Sequence, residues 1–160
     1  MTFRVGDRIA HPMHGAGVIE SIVTKRINGM DREYYVLKLP TGGMQVMVPV
    51  ETSAVKGVRP IVDPKQAEAI LGAIPGIHVE MTSNWNKRYR ENMLRIKSGD
   101  LMEVASVVKG LTQRDRERGL STGERKMLHS AKQILISEIV LSESSSYEEV
   151  EARLDSAMCL

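Results

Sequence analysis

The sequence predicts an α+β chain of two small domains, with an antiparallel β-barrel over residues 1–60 and an all-helical bundle of about five helices over residues 61–160. Three observations carry this prediction. Short apolar or alternating runs, separated by glycines, fill the first 60 residues. Apolar spacing of three and four takes over after Asp63-Pro64, and repeated capping signals then divide that stretch into helices. A chain of 160 residues with 42% hydrophobic and 26% charged residues suits one domain or two small ones, and neither disorder nor a fibrous repeat.

In chain order, Phe3, Val5 and Arg8-Ile9 begin the strand-like texture, and Gly17-Val18-Ile19-Glu20-Ser21-Ile22-Val23 continues it. Asn28-Gly29 is the strongest turn signal, because that pair supplies the positive φ values of a type I′ hairpin. It leads into Tyr34 to Leu39, and Thr41-Gly42-Gly43 turns the chain into Met44 to Pro49. Four or five short strands with tight turns in about 60 residues predict a small, strongly bent barrel of SH3 or Tudor type. Asp63-Pro64 is a capping residue followed by proline at the first helical position, and Ala67, Ile70 and Leu71 follow at helical spacing. Ile74-Pro75-Gly76 ends that helix. Asn84 then precedes a segment in which Trp85, Tyr89, Met93 and Ile96 lie three to four apart. Leu101, Val104, Val107-Val108 and Leu111 mark the next helix, stopped at Arg118-Gly119. Ser121 and Glu124 have capping-box spacing and open the longest helix, with Met127-Leu128, Ala131, Ile134-Leu135 and Val140-Leu141 on one stripe. After the serine-rich hinge at 142–146, a second box of Ser146 and Glu149 opens an acidic helix with Val150, Leu154 and Met158.

Charge sharpens this division. The net charge of +2 conceals +3 over residues 1–62, −2 over 63–80, +6 over 81–132 and −5 over 133–160. Such asymmetry points to a polyanion surface or to well-solvated helix faces. The one cysteine, Cys159, forms no internal disulfide, which suits a reducing compartment. No apolar run approaches the ~18 residues of a spanning helix, and the opening MTFRVGD is too polar for a secretory signal. The expectation is a soluble, cytosolic protein that engages no membrane.

Catalytic chemistry finds little support. His11 and His14 flank Pro12-Met13, and two histidines without a third ligand make a weak metal or general-base site; a polar turn closing the barrel is the favoured reading. Gly15-Ala16-Gly17 lacks the Lys-Ser/Thr of a phosphate loop. No cofactor, no metal and no enzyme activity are expected. The basic stretch is the better lead. Lys87, Arg90 and Lys97 can share one helix face, with Arg88 and Arg95 on the next, and Arg114, Arg116, Arg118, Arg125 and Lys126 cluster at the following helix junction. These cations suit phosphates, in a salt-dependent and sequence-independent way. Trp85 has two readings, a core residue on the stripe with Tyr89 and Met93, or an apolar wedge at an exposed helix end. Spacing leaves both open. A binding module of another class, an adaptor whose basic helices bind an acidic protein, fits the same charges.

Phe3-Arg4-Val5-Gly6-Asp7 and His11-Pro12-Met13-His14-Gly15 resemble the opening of the bacterial CarD/CdnL transcription regulators, a module also found in the transcription-repair coupling factor. Asn84-Trp85 with Arg88-Tyr89, Ser98-Gly99-Asp100, and the run from Arg114 to Ser121 continuing to Leu135 resemble the family's helical half, which the coupling factor lacks. The resemblance implies a Tudor-like domain that docks on the RNA polymerase β subunit and a helical domain that touches promoter DNA at the upstream edge of the melted bubble. It implies a cytoplasmic, nucleoid-associated protein that stabilises the open complex, with Trp85 as a minor-groove wedge. Arg90 and Arg125 match basic positions near DNA, to which charge and spacing add Lys87 and Arg88. Lys25 and Ile27 match the polymerase-docking strand, whereas Met47 stands where some relatives carry arginine. A monomer is expected, with pairing of a barrel edge strand to polymerase or to a second copy left open.

Overall fold

The structure, a computed structural model, describes residues 2–158; Cys159 lies outside them. Five antiparallel strands, β1 (Arg8–His11), β2 (Gly15–Ile27), β3 (Met30–Lys38), β4 (Gln45–Pro49) and β5 (Arg59–Pro60), form one sheet in the order β4-β3-β2-β1-β5. Asn28 and Gly29 adopt φ of 53° and 77°, the positive values that the Asn-Gly pair predicts. The hairpin is longer than its apolar run, because β2 continues through the polar Thr24-Lys25-Arg26 to Ile27. Glu20 is an extra residue between the Ile19–Leu37 and Ser21–Val36 pairs, a bulge that bends β2 and strengthens its twist. The bent sheet encloses Phe3, Ile9, Ile19, Tyr35, Leu37, Leu39, Val48 and Val58.

Five helices follow, α1 (Pro64–Ala73), α2 (Trp85–Lys97), α3 (Leu101–Arg118), α4 (Thr122–Glu143) and α5 (Tyr147–Met158), with a single 3₁₀ turn over Ile74–Gly76. The architecture is therefore the predicted α+β chain, a β unit followed by a helical bundle. Asp63 and Gln66 form a complete capping box on α1, each side chain accepting from the other's backbone N–H. Ser121 caps α4 in half of the expected manner. Its Oγ accepts from Glu124 N at 3.2 Å, but the Glu124 carboxylate turns away to Arg88, a stronger partner than a backbone amide.

Helix α4 runs through the middle of the molecule, against α1, α3 and α5 on one side and β2 on the other. From Ile134 to Val140 it is buried on all sides, so Ser137 and Glu138 are enclosed as completely as the isoleucines. Both polar side chains serve the junction with the sheet. Ser137 Oγ accepts from Ala16 N at 2.9 Å, and a Cβ at Gly15 would lie 2.6 Å from that oxygen. Glu138 receives both Arg59 Nη1 and Nη2, at 2.7 and 2.9 Å, together with Val62 N at 2.9 Å, while Arg59 Nε donates to Gly99 O. One carboxylate thus fastens β5, the linker and, through Arg59, the α2–α3 turn to α4. Among the described residues, no helix is long and apolar enough to cross a membrane.

Candidate functional site

Trp85 is the first residue of α2, immediately after its Asn84 cap, whose side chain accepts from Lys87 N at 3.1 Å. The indole is 42% exposed and stacks on Tyr89, with ring centroids 5.1 Å apart and planes 20° from parallel. Its Nε1 donates to Ser121 Oγ at 2.9 Å, so the N-termini of α2 and α4 meet at this side chain. Both readings of Trp85 hold a part of the observed geometry: one face lies on the Tyr89 stripe, while much of the ring stays in solvent. Helix N-termini carry partial positive charge, and here two converge.

The cations divide by burial. Lys87, Arg90, Arg118, Arg125 and Lys126 are exposed and form no ion pair among the described residues; Arg125 Nε donates only to Leu120 O. Arg95 is paired with Glu103 at 3.7 Å. Arg88 departs from the expected phosphate contact. It is 3% exposed, its Nε and Nη2 lie 2.8 and 3.1 Å from the two Glu124 carboxylate oxygens, and Nη1 donates to Thr82 O. These hydrogen bonds hold Glu124 below the usual carboxylate range and Arg88 above its ordinary value. Charge and spacing put Arg88 on a phosphate-facing surface; placed inward instead, it ties α2 to α4.

A second candidate surface lies on the sheet. Lys25 pairs with Arg32, Ile27 with Met30, and Met47 with Val36. Residues 30, 32 and 36 of β3 point to the same side because side chains alternate along a strand. Lys25, Ile27 and Met47 therefore share one face, opposite to that of the core residues Tyr35, Leu37 and Val48, and all three are exposed. The register thus brings together three residues that the sequence separates by up to 22 positions.

Residues 3–62 match the family model of the CarD-like/TRCF RID domain, and residues 69–155 match that of the CarD C-terminal domain. The chain belongs to the CarD family. A Bacillus subtilis (strain 168) protein named "Putative transcription factor YdeB" is 32% identical to it over 150 residues, 94% of this chain and 98% of that protein. As a CarD-family chain it stands among transcription regulators.

The histidine pair of this CarD-family chain sits where β1 turns into β2. The His11 and His14 rings lie 4.4 Å apart, and His11 Nδ1 accepts from Met13 N. Burial, with His14 and Lys56 nearby, pushes His11 down to about 4, so its imidazole is neutral and suited to accept that bond. Among the described residues, no group of three or more His, Cys, Asp or Glu is placed to hold a metal. Sequence reasoning missed Ser137, Glu138 and Arg59, and read Glu124 only as the capping-box partner of Ser121 and not as the counterion of Arg88. Their available signal was polar side chains inside the apolar stripes of α4, at 124, 137 and 138, which an exposed helix face would not require.

Proposed function

We propose that this CarD-family protein stabilises the RNA polymerase–promoter open complex by bridging enzyme and DNA. Residues 1–60 dock on the polymerase β subunit through the face that carries Lys25, Ile27 and Met47. Residues 61–160 meet promoter DNA at the upstream edge of the bubble, where Trp85 enters the minor groove as a wedge and Lys87, Arg90 and Arg125 neutralise phosphates. The observation that carries this reading is the half-exposed Trp85, held on Tyr89 and Ser121 on the helix that carries Lys87 and Arg90, which form no ion pair among the described residues. An apolar wedge opens a base step at a few kcal/mol, which phosphate contacts must offset. Tethering to polymerase raises the local concentration of the helical domain, so weak DNA affinity suffices. A protein that binds the melted promoter better than the closed one shifts the equilibrium by that difference in affinity.

The test compares open-complex lifetimes with wild-type protein and Trp85→Ala, after showing that both bind polymerase equally. The expected outcome is a lifetime shortened about tenfold or more by the substitution, the size of a lost hot-spot aromatic. Equal lifetimes would remove the wedge. No binding to duplex DNA, even with polymerase present, would favour an adaptor whose basic helices bind an acidic protein.

A further inference from the structure

Ser121 is placed to do more than cap a helix. A serine hydroxyl has one donor and two acceptor sites, and all three are engaged here. Oγ accepts from Trp85 Nε1 at 2.9 Å and from Glu124 N at 3.2 Å, and its own proton points to Glu124 Oε1 at 3.3 Å. Glu124 is held in turn by two hydrogen bonds from buried Arg88, on the same helix as Trp85. The indole, the α4 cap and the buried ion pair therefore form one closed circuit between α2 and α4. Gly123 completes the seat: the edges of Trp85 and Tyr89 lie over it, with Trp85 Cζ2 3.6 Å and Tyr89 Cε2 3.8 Å from the position of a Cβ.

We propose that Ser121 is a positioning residue for Trp85, fixing the indole in one orientation before DNA arrives. A flexible side chain would have to be ordered on binding, and ordering lowers affinity, whereas an indole already held in place avoids that loss. This inference rests on the wedge reading of Trp85 and adds the group that makes the wedge rigid. The α4 cap is a separable role of the same oxygen. Glycine is nearly as good an N-cap as serine, differing by a few tenths of a kcal/mol, but offers the indole no acceptor. Threonine keeps the hydroxyl.

Trp85 is the only tryptophan in the chain, so intrinsic fluorescence reports its surroundings without labelling. The experiment measures acrylamide quenching of the full-length protein for wild type, Ser121→Gly and Ser121→Thr, and open-complex lifetime with polymerase and promoter DNA for these three and for Trp85→Ala. Ser121→Gly is expected to raise the quenching constant and shorten the lifetime about three- to tenfold, the range for one immobilised side chain. Ser121→Thr is expected to restore both. A double-mutant cycle with Trp85→Phe, which keeps a ring but lacks the N–H, is expected to abolish most of the Ser121→Gly effect on lifetime. Additive effects in that cycle, or wild-type quenching in Ser121→Gly, would overturn the positioning role while the wedge survives. An unchanged lifetime in Trp85→Ala would overturn the wedge, and this inference with it.

Discussion

Arg88 and Lys109 show how differently two basic residues of one charged segment are used. Arg88 is enclosed with its counterion, and removing one member of such a pair leaves an uncompensated charge. Glu124→Gln is accordingly expected to lower unfolding free energy by about 3 kcal/mol, read from urea denaturation at neutral pH. The folded-state Glu124 carboxyl titrates below its unfolded value. The pair's contribution is therefore complete above the ordinary glutamate range and is lost as pH falls through the depressed folded value. The stability difference between wild type and Glu124→Gln should narrow across that acidic interval and stay constant near neutrality. Lys109 is as buried as Arg88, but its Nζ has no hydrogen-bond partner among the described residues. Lys109→Met keeps the aliphatic stem and removes an unsatisfied polar group, so thermal unfolding is expected to show a gain of about 1 kcal/mol.

The elements were legible to different degrees. Asp63-Pro64, Asn84 and Ser121 all start helices where their side chains can accept from free amides, a local effect that spacing reveals; Asp100, which reads only as part of a break after α2, caps α3 in the same way. The Asn-Gly hairpin turn is local in the same way. Strand β2 was legible only as far as Val23, because its outer arm carries polar residues whose strand geometry comes from pairing with β3 and from no pattern of its own. The start of β2 is decided by α4. Gly15 combines φ of 91° with a Cβ position that would meet Ser137 Oγ at 2.6 Å and Ile134 Cα at 3.3 Å. Gly15→Ala is thus expected to cost about 2 kcal/mol from backbone strain and contact together. Pairing it with Ser137→Ala should recover little of that loss, since the strain and the Ile134 backbone remain and Ala16 N loses its acceptor; chemical denaturation of both variants would decide.

At the scale of the whole molecule, the +6 segment and the −5 tail pack in one bundle and meet through Lys132 with Asp155 and Arg116 with Met158 O. The tail helix α5 is tied inward: Arg153 bonds both Glu68 and Glu143, Lys132 lies 3.4 Å from Asp155, and Arg116 donates to Met158 O. Lys87, Arg90 and Arg125 form no such ion pair among the described residues. If all three reach phosphates, the logarithm of DNA affinity should fall with log salt at a slope of roughly −3. Removing Lys87, Arg90 or Arg125 one at a time should each flatten that slope by about 1, as titrations at several salt concentrations would show. The Arg59–Glu138 contact matters at this scale too, because it holds the sheet that carries Lys25, Ile27 and Met47 to the bundle that carries Trp85.

The sequence by itself determined the α+β class, the order of strands and helices, the helix starts and the family resemblance, because periodicity, turn chemistry and caps act over a few neighbouring residues. It also singled out Trp85 and left its surroundings open. Only the tertiary structure decided that Arg88 faces inward, that Ser121 holds the indole, and that Ser137 and Glu138 join the two units. Those outcomes depend on which helix faces meet, and a residue's neighbours across an interface leave no trace in its own local spacing. A charge on a helix reads the same in sequence whether it meets water, a phosphate or a buried carboxylate 36 residues away.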